Sequence, residues 1–243
     1  MRLDLYLTQN HNIQSRNKAS ELIKNKKVTV DGKIISKPSF VVSAAHHIEV
    51  NIEGFYVSRA AYKLKYFLDD NNINIENLHA LDIGSSTGGF TQILLLKNVS
   101  SVTCVDVGSN QLHESIRKDK RIIVQENTDI RDFFKESTEY KTSDETFPLV
   151  TCDVSFISVL NIIEDINRLS SNKIIILYKP QFEVGREIKR DSNGVVQDEK
   201  AILQVRELFL EKAVRLKWNL QISQKSKLSG KNGNVEELFF FTK

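Results

Sequence analysis

Only two cysteines occur in the 243 residues, Cys104 and Cys152, and each sits in an apolar, strand-like run ("SVTCVDV" and "LVTCDV"). That excludes a disulfide scaffold and gives no cysteine metal spacing; both thiols are expected to be buried and inert. The five histidines supply no ligand spacing either, because His46 and His47 are adjacent and on a strand point to opposite faces. No apolar run approaches the ~18 residues that a membrane-spanning helix needs, and the mean hydropathy is −0.29. The opening "MRLDLYLTQNHN" lacks the basic stretch and apolar stretch of a secretory signal. A cytosolic protein without a structural metal is expected.

A 40% apolar and 27% charged composition describes an ordinary globular chain. The net charge of +3 hides an asymmetry: residues 1–50 carry eight Lys/Arg against four Asp/Glu, a net of +4, and the remaining residues carry 26 against 27, a net of −1. A small basic unit thus precedes a nearly neutral body. That points to a polyanion partner, although a basic face is also an ordinary solvated surface.

Residues 2–50 read as helix, helix, hairpin, strand. In "SRNKASELIKNKK", Ser15 is a candidate cap, and Ala19, Leu22 and Ile23 form an apolar stripe. "KVTVDGKII" joins two β-branched runs through Asp31-Gly32, a hairpin signal. The candidate RNA-binding cations are Arg2, Arg16, Lys18, Lys24, Lys26, Lys27 and Lys33.

Beyond a short linker (51–56, with Gly54), apolar runs alternate with helical patterns. Strands are expected near 79–83, 102–106, 122–126, 149–153, 173–178, 219–224 and 236–242. Helices are expected near 57–71, 88–97, 109–118, 157–169 and 198–216, with a polar loop over 136–147. Such alternation predicts a doubly wound α/β sheet. "ALDIGSSTGGFTQILL" reads as strand, glycine turn and helix, and the helix N-terminus offers free N–H groups. Asp106 ends the next strand, placed to accept hydrogen bonds from both hydroxyls of a ribose. A dinucleotide fingerprint needs glycine where Ser85 stands, and the Walker Gly-Lys-Ser/Thr is absent. S-adenosylmethionine carries ribose and adenine without phosphate, so neither requirement applies to it. The alternative is a tight turn that needs glycine for geometry alone.

Two resemblances follow. "RLDLYL…SRNKASELIKNKKVTVDGKIISKPSF…IEV" resembles the S4-like (αL) RNA-binding domain of a small-subunit ribosomal protein, tyrosyl-tRNA synthetases and pseudouridine synthases. It implies contact with structured RNA through phosphates. "YVSRAAYKL", "LDIGSSTGGFTQILL", "VDVGSNQL", "CDVSFIS", "YKPQFEVGR", "NGVVQDE" and "GNVEELFF" follow in order over residues 56–240. With the N-terminal unit, the chain resembles the TlyA family of bacterial ribosomal-RNA cytidine 2′-O-methyltransferases, once grouped with haemolysins. Its second half also resembles the FtsJ/RrmJ 2′-O-methyltransferases. The implied fold is α/β: a Rossmann-like methyltransferase with a seven-stranded mixed sheet, last strand antiparallel, at 57–243, after a small α+β RNA-binding domain at 1–50. The family pattern usually has Ala at Ser85, Tyr-Gly at Ser109-Asn110 and Asn at Asp129, and two prolines in "KSKLSGKNGNVE". The first three touch the cofactor pocket; Asp129 can still accept from an adenine amine, so binding is expected to survive with altered affinity.

The resemblance places a catalytic tetrad on Lys63, Asp153, Lys179 and Glu236. Asp153 and Lys179 end neighbouring strands, where α/β sheets build their sites; strand-end snorkelling and a structural ion pair are the alternatives. A ribose 2′-hydroxyl must lose its proton as methyl transfers. A neutral lysine amine can take it, although a free lysine titrates near ~10.4. Lys179 is therefore assigned as general base, oriented by Asp153. Lys63 holds or polarises the ribose oxygen or phosphate, and Glu236, taken from the motif alone, positions Lys63 and the hydroxyl. Candidate contacts to S-adenosylmethionine are Asp82, Gly84, Ser86, Gly88, Gly89, Phe90, Asp106 and Asp129; for Phe90, packing under the first helix is the alternative. The family has a longer type that acts on both subunits and a shorter one restricted to the large subunit. A first domain beginning at Arg2 and a chain ending at Lys243 imply the shorter, with cytidine in 23S rRNA of the 50S subunit as main target and 16S as a possible second. Rival readings are a non-catalytic RNA-binding assembly factor, a small-molecule methyltransferase and a pore-forming haemolysin. The tetrad opposes the first, the basic domain the second, and the absence of spanning patterns the third.

Overall fold

The computed structural model describes residues 1–11, 13, 15–51, 56–134 and 146–243. Most of the expected 51–56 linker and of the 136–147 loop lies outside the described residues. The chain divides into two compact units, Met1–Phe55 and Tyr56–Lys243.

In the first unit, helices α1 (Leu3–Asn10) and α2 (Arg16–Lys24) accompany the short strands β1 (Val28–Val30), β2 (Lys33–Ile34) and β3 (Ile48–Val50). The strands pair antiparallel in the order β2-β1-β3. Ser15 caps α2, its Oγ accepting from Lys18 N at 3.2 Å. The helices bury Leu3, Leu7, Ala19, Leu22 and Ile23 against Val28 and Val30. Asp31 and Gly32 both take positive φ (49° and 74°), as a two-residue hairpin turn with right-handed strand twist requires.

The second unit runs α3 (Arg59–Asp70), β4 (His79–Ile83), α4 (Gly89–Leu96), β5 (Ser101–Asp106), α5 (Glu114–Arg117), β6 (Ile122–Glu126) and β7 (Phe147–Cys152). A 3₁₀ turn (Val159–Asn161), α6 (Ile163–Leu169), β8 (Ser170–Tyr178), α7 (Pro180–Glu183), α8 (Glu199–Arg215), β9 (Asn219–Lys225) and β10 (Glu237–Thr242) complete it. One seven-stranded sheet has the order β6-β5-β4-β7-β8-β10-β9. Strands β4 to β8 are parallel, and β10, last in sequence, inserts antiparallel between β8 and β9.

Burial on both faces explains the unbroken apolar run Ile174–Leu177. Ile175 and Leu177 pack with Leu64, Phe67, Phe90 and Leu94 of α3 and α4. Ile174, Ile176 and Tyr178 pack with Ile163, Ile166 and Phe209 of α6 and α8 on the other face. The thiols of Cys104 and Cys152 are buried and unpaired, and burial pushes Cys104 up to about 12, so it stays protonated at neutral pH.

Two helices are shorter than their sequence patterns. The 109–118 segment is helical only over Glu114–Arg117, because the N–H groups of Asn110, Gln111 and Leu112 turn instead to the Glu126 carboxylate. The 157–169 segment opens as a 3₁₀ turn, whose first N–H, on Val159, donates to Glu183 Oε1 at 3.0 Å.

Candidate active site

The carboxyl ends of β4, β5, β7 and β8 and the start of β10 lie along one edge of the sheet. From β4 the chain runs outward through β5 and β6 on one side and then crosses back to add β7 and β8 on the other, which makes the end of β4 the switch point where open α/β sheets form a crevice. There the chain turns sharply. Gly84 (φ 76°) and Ser85 donate their N–H groups to Val105 O, Ser86 takes φ 45°, and Gly88 (φ 90°) caps α4.

A cleft of about 340 Å³ opens over this turn, lined among others by Gly84, Ser86, Asp106, Gln111, Asp129 and Asp153. The volume falls within the ~300–1,000 Å³ of small-molecule sites. Asp106 Oδ1 accepts from Gly108 N (2.7 Å) and Oδ2 from Ser86 N (2.8 Å), which fixes the carboxylate and leaves lone pairs for a ribose diol. A Cβ on Gly84 would stand 2.8 Å from the Asp153 carbonyl oxygen, so the floor admits only glycine. Three carboxylates and no lysine or arginine line the cleft among the described residues. Such a lining disfavours phosphates and suits a sulfonium cation beside a nucleoside.

Four of the expected cofactor contacts are not among the residues that line this cleft. Asp82 is fully buried, its oxygens accepting from Thr91 (2.5 Å) and Thr151 (2.8 Å), and burial pushes it up to about 6 against those bonds. Gly88 lies against Leu112 and Ile116, and Gly89 against Ser58 and Ala61. Phe90 packs in the core with α3. These residues shape the turn from beneath and behind, where a larger or misplaced group would not fit. Gly84, Ser86, Asp106 and Asp129 do line the cleft, although Asp129 is also paired with Arg131 at 2.6 Å. Substituting Gly84→Ala is expected to lower the melting temperature and to weaken S-adenosylhomocysteine binding at least about tenfold by calorimetry. The new methyl group forces a left-handed residue and a carbonyl apart.

Beside the cleft stand two lysine–carboxylate pairs. Lys179 follows β8 directly and caps α7, with Pro180 as its first helical residue. The lysine Nζ lies 2.6 Å from Asp153 Oδ1 and donates a hydrogen bond to Ser155 Oγ at 2.9 Å. Asp153 Oδ1 itself receives no aligned hydrogen bond, so this is an ion pair with acceptor capacity in reserve. Lys63, from the inner side of α3, pairs directly with Glu236 Oε2, and the two side chains are only 8% and 4% exposed. Glu236 Oε1 accepts from Gln181 Nε2 at 3.1 Å. The register pairs Glu237 with Tyr178, which brings Glu236 next to Lys179 along the same edge. Neither Ser155 nor Gln181 was among the residues expected; both sit inside the quoted motifs "CDVSFIS" and "YKPQFEVGR", and only the fold gives them their polar partners.

In the first unit, Lys24, Lys26 and Lys33 are exposed and Lys27 half-buried, and Lys18 pairs with Glu21. Arg2 and Arg16 are exposed as well, and both also clamp the buried Asp4, at 2.8 and 3.2 Å. The Arg2 hydrogen bonds foremost, then Arg16, draw Asp4 down to about 2 against its burial. Among the described residues no cluster of His, Cys, Asp and Glu could hold a metal ion, and no helix is long and apolar enough to cross a membrane.

A switch-point cleft lined by a fixed carboxylate, on a sheet whose last strand is inserted antiparallel, is the architecture of an S-adenosylmethionine-dependent methyltransferase. Residues 56–243 match the FtsJ-like methyltransferase family, and residues 1–48 match the S4 domain. The 23S rRNA (cytidine-2′-O)-methyltransferase TlyA of Campylobacter jejuni is 45% identical over the full length of both chains. The 16S/23S rRNA (cytidine-2′-O)-methyltransferase TlyA of Mycobacterium tuberculosis is 35% identical over 97% of this chain and 87% of its own. A solved structure described as a hemolysin from Streptococcus thermophilus superposes with a TM-score of 0.70 at 29% identity, covering 100% of this chain and 88% of that one. The chain belongs to the TlyA family of FtsJ-like methyltransferases.

Proposed function

We propose that the protein methylates the 2′-hydroxyl of a cytidine ribose in ribosomal RNA, with 23S RNA in the 50S subunit as its main substrate and 16S RNA at most a lesser one. The observation that carries the reading is the pairing of two buried lysines with carboxylates beside a nucleoside-shaped cleft. The full-length similarity to a relative named for 23S rRNA supports the choice of subunit. Ribosomal RNA as substrate implies a cytoplasmic enzyme.

Bound S-adenosylmethionine supplies the electrophilic methyl group. Asp106 holds its ribose diol, Gly84 lets it approach the strand ends, and Asp129 accepts from the adenine amine. In its neutral amine form Lys179 Nζ accepts the proton of the 2′-hydroxyl, with Asp153 and Ser155 fixing where the amine points. Lys63 supplies a fixed positive charge for the ribose oxygen or an adjacent phosphate. Glu236, itself held by Gln181, keeps that charge in place. Proton transfer by a positioned group contributes ~10²–10⁴-fold and alignment much of the remainder. Residues 1–50 act as the RNA-docking domain and 57–243 as the catalytic one. Lys18, Lys24, Lys26, Lys27 and Lys33 contact phosphates, and Arg2 and Arg16 use what their bonds to Asp4 leave free.

Purified protein with tritiated cofactor is expected to label isolated 50S subunits well above 30S subunits. Equal labelling of both overturns the subunit assignment, and labelling of neither favours a non-catalytic assembly factor.

A further inference from the structure

We propose that Glu126 is a positioning residue for the cofactor, holding the 107–113 loop in the shape that closes the ribose side of the cleft. Glu126 ends β6 directly opposite Asp106 in the β5–β6 register. Its Oε2 accepts from Asn110 N (3.0 Å), and its Oε1 accepts from Gln111 N (3.0 Å), Leu112 N (3.2 Å) and Arg117 Nη2 (2.7 Å). Three successive backbone N–H groups converging on one point form an anion nest. Here the nest is filled by the chain's own carboxylate, so the loop is ordered without an external anion. The bonds, Arg117 foremost, hold Glu126 at about 2, ionised throughout the working pH range.

The loop so fixed bears on the cofactor at three places. Gln111 lines the cleft, and its Oε1 accepts from Ser86 Oγ at 3.1 Å. Leu112 lies against Gly88, where a Cβ would come within 2.8 Å of it. Asn127 N donates to Gly108 O (2.9 Å), and Gly108 N donates to Asp106 Oδ1, so the ribose-binding carboxylate and the Glu126 nest brace the same loop from two sides. Without Glu126, three N–H groups lose their acceptor and Asn110, held at φ 52°, has no reason to keep that conformation. Cofactor would then bind only the fraction of molecules whose loop is closed, and the apparent dissociation constant rises by the inverse of that fraction.

Glu126→Ala and Glu126→Gln test this by calorimetry with S-adenosylhomocysteine, amide hydrogen exchange at residues 110–112 and steady-state kinetics. Alanine is expected to weaken binding by about tenfold or more, to speed exchange at those three amides, and to leave kcat at saturating cofactor within about twofold of wild type. Glutamine keeps one acceptor oxygen but turns an NH₂ toward Asn110 N–H, so about a threefold loss is expected. Wild-type affinity in a folded alanine variant, or a loss in kcat with affinity unchanged, overturns the proposal. Where alanine fails to fold, glutamine decides: unchanged affinity overturns the proposal, and a loss accompanied by faster exchange supports it.

Discussion

Lys179→Arg is expected to transfer methyl about 10²-fold slower than wild type or worse, while cofactor and RNA bind near normally. Two roles are open to a lysine at this edge: proton acceptor, or fixed cation gripping phosphate. Alanine removes both and cannot separate them. Arginine keeps the charge and most of the reach, yet is never deprotonated in a protein. The guanidinium can still meet Asp153, which already stands 2.6 Å from Nζ with an oxygen free of aligned hydrogen bonds. No pH should rescue the arginine variant. Arginine is also wider and flatter than lysine, so S-adenosylhomocysteine affinity is measured in parallel to exclude a blocked cleft. Substantial turnover by the variant removes the base role from Lys179, and Lys63 becomes the next residue to test. Lys63→Arg, in contrast, is expected to keep part of its activity, because a fixed charge is the role proposed for that position.

What the sequence made legible follows from how local each signal is. The run Ile174–Leu177 announces a strand covered on both faces, and the structure covers it with α3 and α4 on one side and α6 and α8 on the other. Asp31-Gly32 announces its turn because few other residues tolerate two successive positive φ values. The abrupt Lys179-Pro180 at the end of β8 is a lysine capping a short helix whose first residue needs no N–H. Signals that depend on distant partners were less legible. Gly88, Gly89 and Phe90 share a motif with Gly84, and nothing local separates the glycine that lines the cleft from those that meet Leu112 and Ser58. Helix α5 looked longer because the pattern at 109–113 is compatible with helix; its N–H groups are claimed by a carboxylate on another strand. The bonds from Arg2 and Arg16 to Asp4 are likewise invisible in the sequence, because they depend on the fold that buries that carboxylate.

Removing either partner of the Lys63–Glu236 pair is expected to cost about 3–5 kcal/mol of stability, because each leaves the other charge buried without compensation. Both side chains are almost wholly buried, so solvent cannot replace the lost partner. Lys63→Met leaves the Glu236 carboxylate with only the Gln181 amide, and Glu236→Gln leaves the Lys63 ammonium facing an uncharged acceptor. The double variant Lys63→Met/Glu236→Gln contains neither buried charge. Its stability is expected to return to within about 1 kcal/mol of wild type, since neutral replacements of buried ion pairs are often harmless or better. Urea denaturation of the four proteins measures this cycle, with unchanged slopes required before the midpoints are compared. Methyl transfer should separate from stability. Lys63→Met and the double variant are both expected to lose activity about 10²-fold or more, because even a stable site then lacks the charge proposed to grip the ribose oxygen or phosphate. Near wild-type turnover by the double variant would show that the pair only props up the sheet edge. Strictly additive stability losses would show that the two charges do not depend on each other. The expected combination, stability recovered and catalysis not, is the one that a pair kept for chemistry produces at a site where methionine and glutamine would hold the fold equally well.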